Sequence, residues 1–172
     1  MTTEYLLNRE LQHVLAALTP SNALVIKTIL RTGLRVSDVL ALKPQDLKPQ
    51  MWVTEGKTRK RRQVGLGTEL VAELRAQAGQ HWVFPGRDPK RHRTRQAVWY
   101  DVKRASRAFR LPQNVGTHSV RKMYAVELLS RYGDVQRVQR ALQHDRLTTT
   151  LVYAMADKLL QAKGTRSKRP RR

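Results

Sequence analysis

The sequence predicts a mainly α-helical domain carrying one small antiparallel β-sheet, an α+β arrangement. Three observations lead there. Apolar residues recur at helical spacing in the first and last thirds of the chain, two short β-prone stretches flank a charged turn in the middle, and prolines and glycines punctuate the segments between. With 172 residues, 40% of them hydrophobic, the chain has the size of one domain and enough apolar surface for a core. We read one domain over residues 1–163 and a basic tail over 164–172.

A first helix starts near Asn8, a good N-cap, with Leu11, Val14, Leu15 and Leu18 along one face. Thr19-Pro20 breaks it, and Pro20 suits the first turn of a second helix that runs through Ile29 and Leu30 to Gly33. A short third helix, about Ser37 to Leu42, stops before Pro44. Met51–Thr54 and Gln63–Leu66 then form a hairpin with a basic tip. A helix from Thr68 to about Ala78 follows, then a short extended piece, His81–Pro85. Gly86–Arg95 is a loop, and Thr94 caps a helix reaching about Phe109, ahead of Leu111-Pro112. Three more helices are expected over about His118–Tyr132, Asp134–Leu142 and Leu147–Met155, with a short one running to Ala162. Trp52, Trp82 and Trp99 read as core packing.

Charge bounds the function. The chain has 34 Lys and Arg against 13 Asp and Glu, a formal +21, and only five of those cations lie in Gly164–Arg172. The body is basic in its own right, which points to a polyanionic partner, nucleic acid above all. The hairpin tip holds five cations in six residues: Lys57, Arg59, Lys60, Arg61 and Arg62. The following loop adds Arg87, Lys90, Arg91, Arg93 and Arg95, and Lys103, Arg107 and Arg110 share a helical face. Three separate basic elements suit contact with a phosphate backbone. The absence of cysteine excludes disulfides, thiolate metal sites and a Cys nucleophile. No apolar run has the length of a membrane span and the N-terminus is no signal peptide, so no membrane role is expected and the protein is expected in the cytoplasm, at the nucleoid.

A sharper signal is an ordered set of polar residues. Thr32-Gly33-Leu34-Arg35 leads into an apolar helix with Asp38 three residues after the Arg. Thr117-His118-Ser119-Val120-Arg121 puts a His and an Arg on one helical face. Leu142-Gln143-His144 is followed by Tyr153 nine residues beyond the His. Singly, each has an ordinary reading: a surface Arg, a helix-start His, a turn His, a core Tyr.

Together and in this order they resemble the tyrosine recombinase, or phage integrase, family, whose boxes are Thr-Gly-x-Arg, a hairpin Lys, His-x-x-Arg, Leu-Gly-His and a Tyr nine beyond that His. The resemblance implies the catalytic-domain fold of that family and DNA cleavage through a 3′-phosphotyrosyl link at Tyr153, with neither metal nor ATP. It implies Arg35 and Arg121 as phosphate clamps, His144 as a further phosphate ligand and His118 as a proton-transfer partner of Tyr153. Lys57 is favoured as the acid for the leaving 5′-oxygen, with Lys60 the alternative. Double-stranded DNA is the expected partner, bound by a homotetramer on paired sites, with accessory DNA-bending proteins possible. Asp38 matches an acidic position that supports the site without reacting. The chain departs from the pattern at Gln143, where Gly is usual, and in having only the residues before Thr32 ahead of the first box. It is therefore expected to be a small form without the N-terminal core-binding domain, similar to the recombinases that invert fimbrial switches. A type IB topoisomerase and a non-catalytic DNA-binding regulator of the same fold are the alternatives.

Overall fold

A computed structural model describes residues 8–111 and 114–142. Among them are α1 (Asn8–Ala17), α2 (Pro20–Thr32), α3 (Val36–Leu40), a 3-10 turn (Pro44–Asp46), β1 (Gln50–Thr54), β2 (Arg61–Gly65), α4 (Thr68–Gln77), α5 (Arg95–Ala108), α6 (Thr117–Tyr132) and α7 (Val135–Leu142). The arrangement is the expected one, mainly helical with a two-stranded antiparallel sheet. His144, Tyr153 and the two helices expected beyond Leu142 lie outside the described residues. The chain divides into two compact units, one ending at Tyr124 and one beginning at Ala125.

In the first unit, α2 is the central helix. Its Val25, Ile26 and Ile29 are fully buried, together with Val14 of α1, Val39 and Leu40 of α3, Leu74 of α4, and Val98 and Val102 of α5. The sheet covers this core with one face only. Met51 and Val53 of β1 and Val64 of β2 point inward, at the period of two that a half-buried strand requires. Burying α2 brings polar groups inside, and its two threonines are answered locally. The Thr28 and Thr32 hydroxyls donate to the carbonyls of Leu24 and Thr28 at 2.7 and 2.6 Å.

The α1–α2 junction is tied to α5 by Asp101, a buried carboxylate that accepts from the Thr19 amide and hydroxyl (both 2.9 Å) and from Asn22 Nδ2 (2.7 Å). Burial acts to raise its pKa, but these bonds and those from Arg104 outweigh it and bring it down to about 2. The α5 N-terminus is capped as expected, Thr94 Oγ1 accepting from the Ala97 amide at 3.1 Å.

Other expectations are refined or corrected. The piece His81–Pro85 joins no sheet: Val83 and Phe84 are buried, Val83 N–H donating to Leu42 O and Phe84 O accepting from Arg93 N–H, with one isolated bridge between Pro85 and His92. The α5 helix ends at Ala108, and Arg110 turns into the left-handed region at φ 49°, so it leaves the basic face of Lys103 and Arg107. Trp52 and Trp99 are not core residues, being 56% and 45% exposed. A guanidinium or ammonium lies over each ring, Arg61 at 5.2 Å from Trp52 and Lys103 at 5.8 Å from Trp99.

In the second unit, the distal part of α6 ends at Gly133, in the left-handed region at φ 67°, whose amide donates to Leu129 O at 2.7 Å. Asp134 Oδ1 then caps α7 by accepting from the Gln136 and Arg137 amides. Val138 and Leu142 are buried on that helix, while Gln136, Arg137 and Arg140 face solvent.

Candidate active site

The site is built where α2 stops. Gly33 takes φ 66°, and its amide closes the helix on Ile29 O at 2.7 Å. A β-carbon here would lie 2.3 Å from the ring of Tyr124, so glycine is required both by backbone conformation and by space. The turn frees the Gly33 carbonyl, which accepts from Arg121 Nη1 at 2.6 Å. The Thr-Gly-x-Arg and His-x-x-Arg boxes are therefore bonded to each other directly. Arg121, on the first turns of α6, is 6% exposed.

Two residues past the glycine, Arg35 is the extended N-cap of α3, and its guanidinium bonds Glu55 through Nη1. Glu55 is fully buried at the end of β1. It also accepts from Arg62 Nε at 3.1 Å and from the Thr58 hydroxyl at 3.3 Å, while Arg62 Nη2 donates to Thr32 O at 3.0 Å. Asp38, buried in α3, accepts from the Gly56 amide at 2.9 Å and so holds the hairpin turn against the helix that Arg35 caps. Lys57 lies in this turn, exposed.

Electrostatics supports the convergence of these groups. Burial first, and then the Arg35 charge, push Arg121 down to about 10, with the Arg62 charge adding to the fall and Glu55 and Asp38 opposing it. His118 is exposed on α6, yet its pKa is lowered, first by the protein around the ring and then by the cations Arg121, Lys122, Arg35 and Lys57. His118 thus feels the charges of Arg121, Arg35 and Lys57, and Arg121 feels that of Arg35. This is a cationic cluster suited to hold a phosphate, with a histidine biased toward its neutral form.

Of the remaining expected contacts, Arg59, Lys60, Arg61, Lys90, Arg91, Arg95 and Arg107 lie at exposed positions. Three residues expected on the DNA surface bond within the protein. Arg62 is occupied by Glu55 and Thr32. Arg93 is half-buried, its Nη1 donating to Asn22 Oδ1 at 3.1 Å. Lys103 is half-buried as well, with Nζ donating to Asn114 at 2.5 Å. Sequence reasoning missed Glu55. Continuing the alternation of Met51 and Val53 by one step would have pointed it inward, and stepping back from Val64 would have done the same for Arg62.

Comparison with known proteins agrees with the fold. The model of the phage integrase family matches residues 4–159. A putative integrase/recombinase of Sinorhizobium fredii is 35% identical over 152 residues, covering 84% of this chain and 49% of that protein. The integrase of Escherichia phage P2 is 31% identical, covering 88% of this chain and 43% of its own length. The chain thus spans about half the length of these relatives. Among solved structures, the XerH site-specific recombinase in a post-cleavage complex with its difH substrate superimposes with a TM-score of 0.71 at 25% identity, over 96% of this chain and 53% of that one. The catalytic core of lambda integrase shares the fold, with a TM-score of 0.67 at 19% identity over 86% and 95% of the two chains.

Proposed function

Because this chain belongs to the phage integrase family, we propose that it cuts and rejoins double-stranded DNA at specific sites, with Tyr153 as the nucleophile. The observation that carries this reading is the pairing of Arg35 and Arg121 across the Gly33 turn, with His118 and Lys57 near enough to share their field. A phosphodiester broken by a side chain needs an anion clamp, a base for the nucleophile and an acid for the leaving oxygen, and this cluster supplies a candidate for each.

In the proposed reaction the Tyr153 oxygen attacks the scissile phosphorus and the bond to the 5′-oxygen breaks. Arg35 and Arg121 meet the charge that grows on the non-bridging oxygens, with His144 as a further donor. His118, biased toward its neutral form, accepts the phenolic proton, which Tyr153 with a reference pKa of about 10 does not release unaided near pH 7. Lys57, whose charge reaches His118, protonates the departing 5′-oxygen, with Lys60 the alternative. The phosphotyrosyl bond preserves the energy of the bond it replaces, so a 5′-hydroxyl reseals it without ATP. Exposed Arg59, Lys60, Arg61, Lys90, Arg91, Arg95 and Arg107 supply backbone contacts along the duplex. A homotetramer on paired sites and accessory bending proteins belong to the same proposal.

The test uses a pool of nicked duplexes with randomised centres, from which a cleaved fragment diffuses away. Denaturant-resistant protein–DNA adducts are expected, enriched in one sequence and lost in Tyr153→Phe. DNA retention with no adduct would favour a non-catalytic regulator, and relaxation of any supercoiled plasmid would favour topoisomerase chemistry.

A further inference from the structure

Glu55 takes no part in the steps above, yet among the described charged side chains none is buried more deeply. A fully buried carboxylate is a poor means of gaining stability, since a well-packed apolar residue in its place is often neutral or better. Its partners are informative. One is Arg62, which braces the hairpin against the Thr32 carbonyl and is 11% exposed. The other is Arg35, the proposed phosphate clamp, which is 16% exposed. The bond to Glu55 uses Nη1 of Arg35. Nε and Nη2 remain as donors, enough for the two-pronged grip on a phosphate that guanidinium favours. Thr58 donates to the same Glu55 oxygen that Arg35 contacts, so the carboxylate is oriented by the turn that carries Lys57. Three guanidinium groups, those of Arg35, Arg62 and Arg121, lie close enough for their charges to interact, and Glu55 opposes that repulsion.

We propose that Glu55 is a positioning residue for strand cleavage: its buried carboxylate fixes the rotamer of Arg35 and holds that arginine beside Arg121, while touching no DNA. The proposal rests on the reading of Arg35 as a phosphate clamp. It couples two elements, because the carboxylate that aims Arg35 from α3 is carried by the hairpin that also carries the leaving-group acid.

The test compares the parent with Glu55→Gln, Glu55→Asp and Arg62→Met, using a nicked duplex recovered from the adduct selection as the probe. Glu55→Gln should lower the rate of adduct formation at saturating DNA roughly 10²-fold, the scale of losing one oriented anion donor. Its affinity for the duplex should change less than about 3-fold, because most contacts lie elsewhere. Glu55→Asp, keeping the charge, should recover part of the rate. Arg62→Met should lower the melting temperature as much as Glu55→Gln does, with a smaller loss of rate. An independent readout is the side-chain Nε–H resonance of Arg35 in the DNA-free protein, assigned by its loss in Arg35→Lys, which should shift or broaden in Glu55→Gln. A fall in melting temperature with an unchanged saturated rate would overturn the proposal and leave Glu55 a plain structural ion. A parent that forms no adduct sinks the cleavage reading instead. Glu55 is then judged on the Arg35 resonance, and its persistence in Glu55→Gln overturns the positioning.

Discussion

His118 is surrounded by charges of one sign. Burial of the ring first, and then the charges of Arg121, Lys122, Arg35 and Lys57, disfavour its protonation, so its folded pKa falls below the ordinary 6.5. In the DNA-free protein its ring protons should titrate with a midpoint below that value by NMR, and Arg35→Gln should move the midpoint upward. The sign for stability follows. The unfolded chain binds the proton more readily, so this residue favours folding above the unfolded pKa and loses that contribution as pH falls through the folded one. A bound phosphate, by neutralising the cluster, should bring the pKa back up. A midpoint at or above 6.5 without DNA would remove the argument that His118 serves as a base. Glu55 makes the opposite point at the same scale. It is one acid in a run of cations, it looks like a solubility detail, and the alternation of the strand turns it into the centre of the site.

At the scale of elements, the turn between α2 and α3 is decisive. Gly33→Ala combines a left-handed φ, which costs a non-glycine residue about 1 kcal/mol, with a collision against the Tyr124 ring. Urea unfolding should therefore show a loss of more than about 2 kcal/mol. Tyr124→Ser should relieve the steric part and leave the conformational part. Most of these elements were legible beforehand, because the cues are local: Pro20 opens α2, Gly33 closes it, Thr94 caps α5, and α6 and α7 fall where their periodicity puts them. The reading failed where the deciding contact comes from far along the chain. The partners of the extended piece at Val83 and Phe84 are an example, since their backbone groups pair with Leu42 and Arg93. Trp52 and Trp99 look like core residues, yet each lies at the surface beneath a cation, which no periodicity announces. For the site, the motif residues Arg35, His118 and Arg121 were legible by spacing. The carboxylate that links Arg35 to the hairpin was not, because its partners lie 20 and 7 residues away and only the fold brings them together.

Over the whole molecule, a net charge of +21 should make the proposed DNA binding strongly dependent on salt. The structure divides the cations into two classes that this dependence can separate. Replacing exposed Arg59, Lys60 and Arg61 by Ala should lower the slope of log affinity against log salt by up to about 3, with little change in melting temperature. Replacing Arg62 should leave the slope nearly unchanged and cost roughly 3 kcal/mol, because Glu55 then loses one of its two compensating charges. Filter binding at several salt concentrations, alongside thermal melts, checks both. If Arg62 and Arg61 behaved alike, the inward placement of Arg62 would be wrong.

The hydrogen bond from Arg121 to the Gly33 carbonyl spans 88 residues of chain, and that from the Thr19 amide to Asp101 spans 82. During synthesis, Gly33 has left the ribosome long before its partner is made. Until α6 emerges, the nascent chain has Arg35 but not the arginine that faces it, and α2 has a core face but not the helix α5 that covers it. The proposed phosphate clamp thus needs a segment made well after the basic hairpin. On the proposed function, a partly made chain holds nucleic acid by charge before it has the means to cut it.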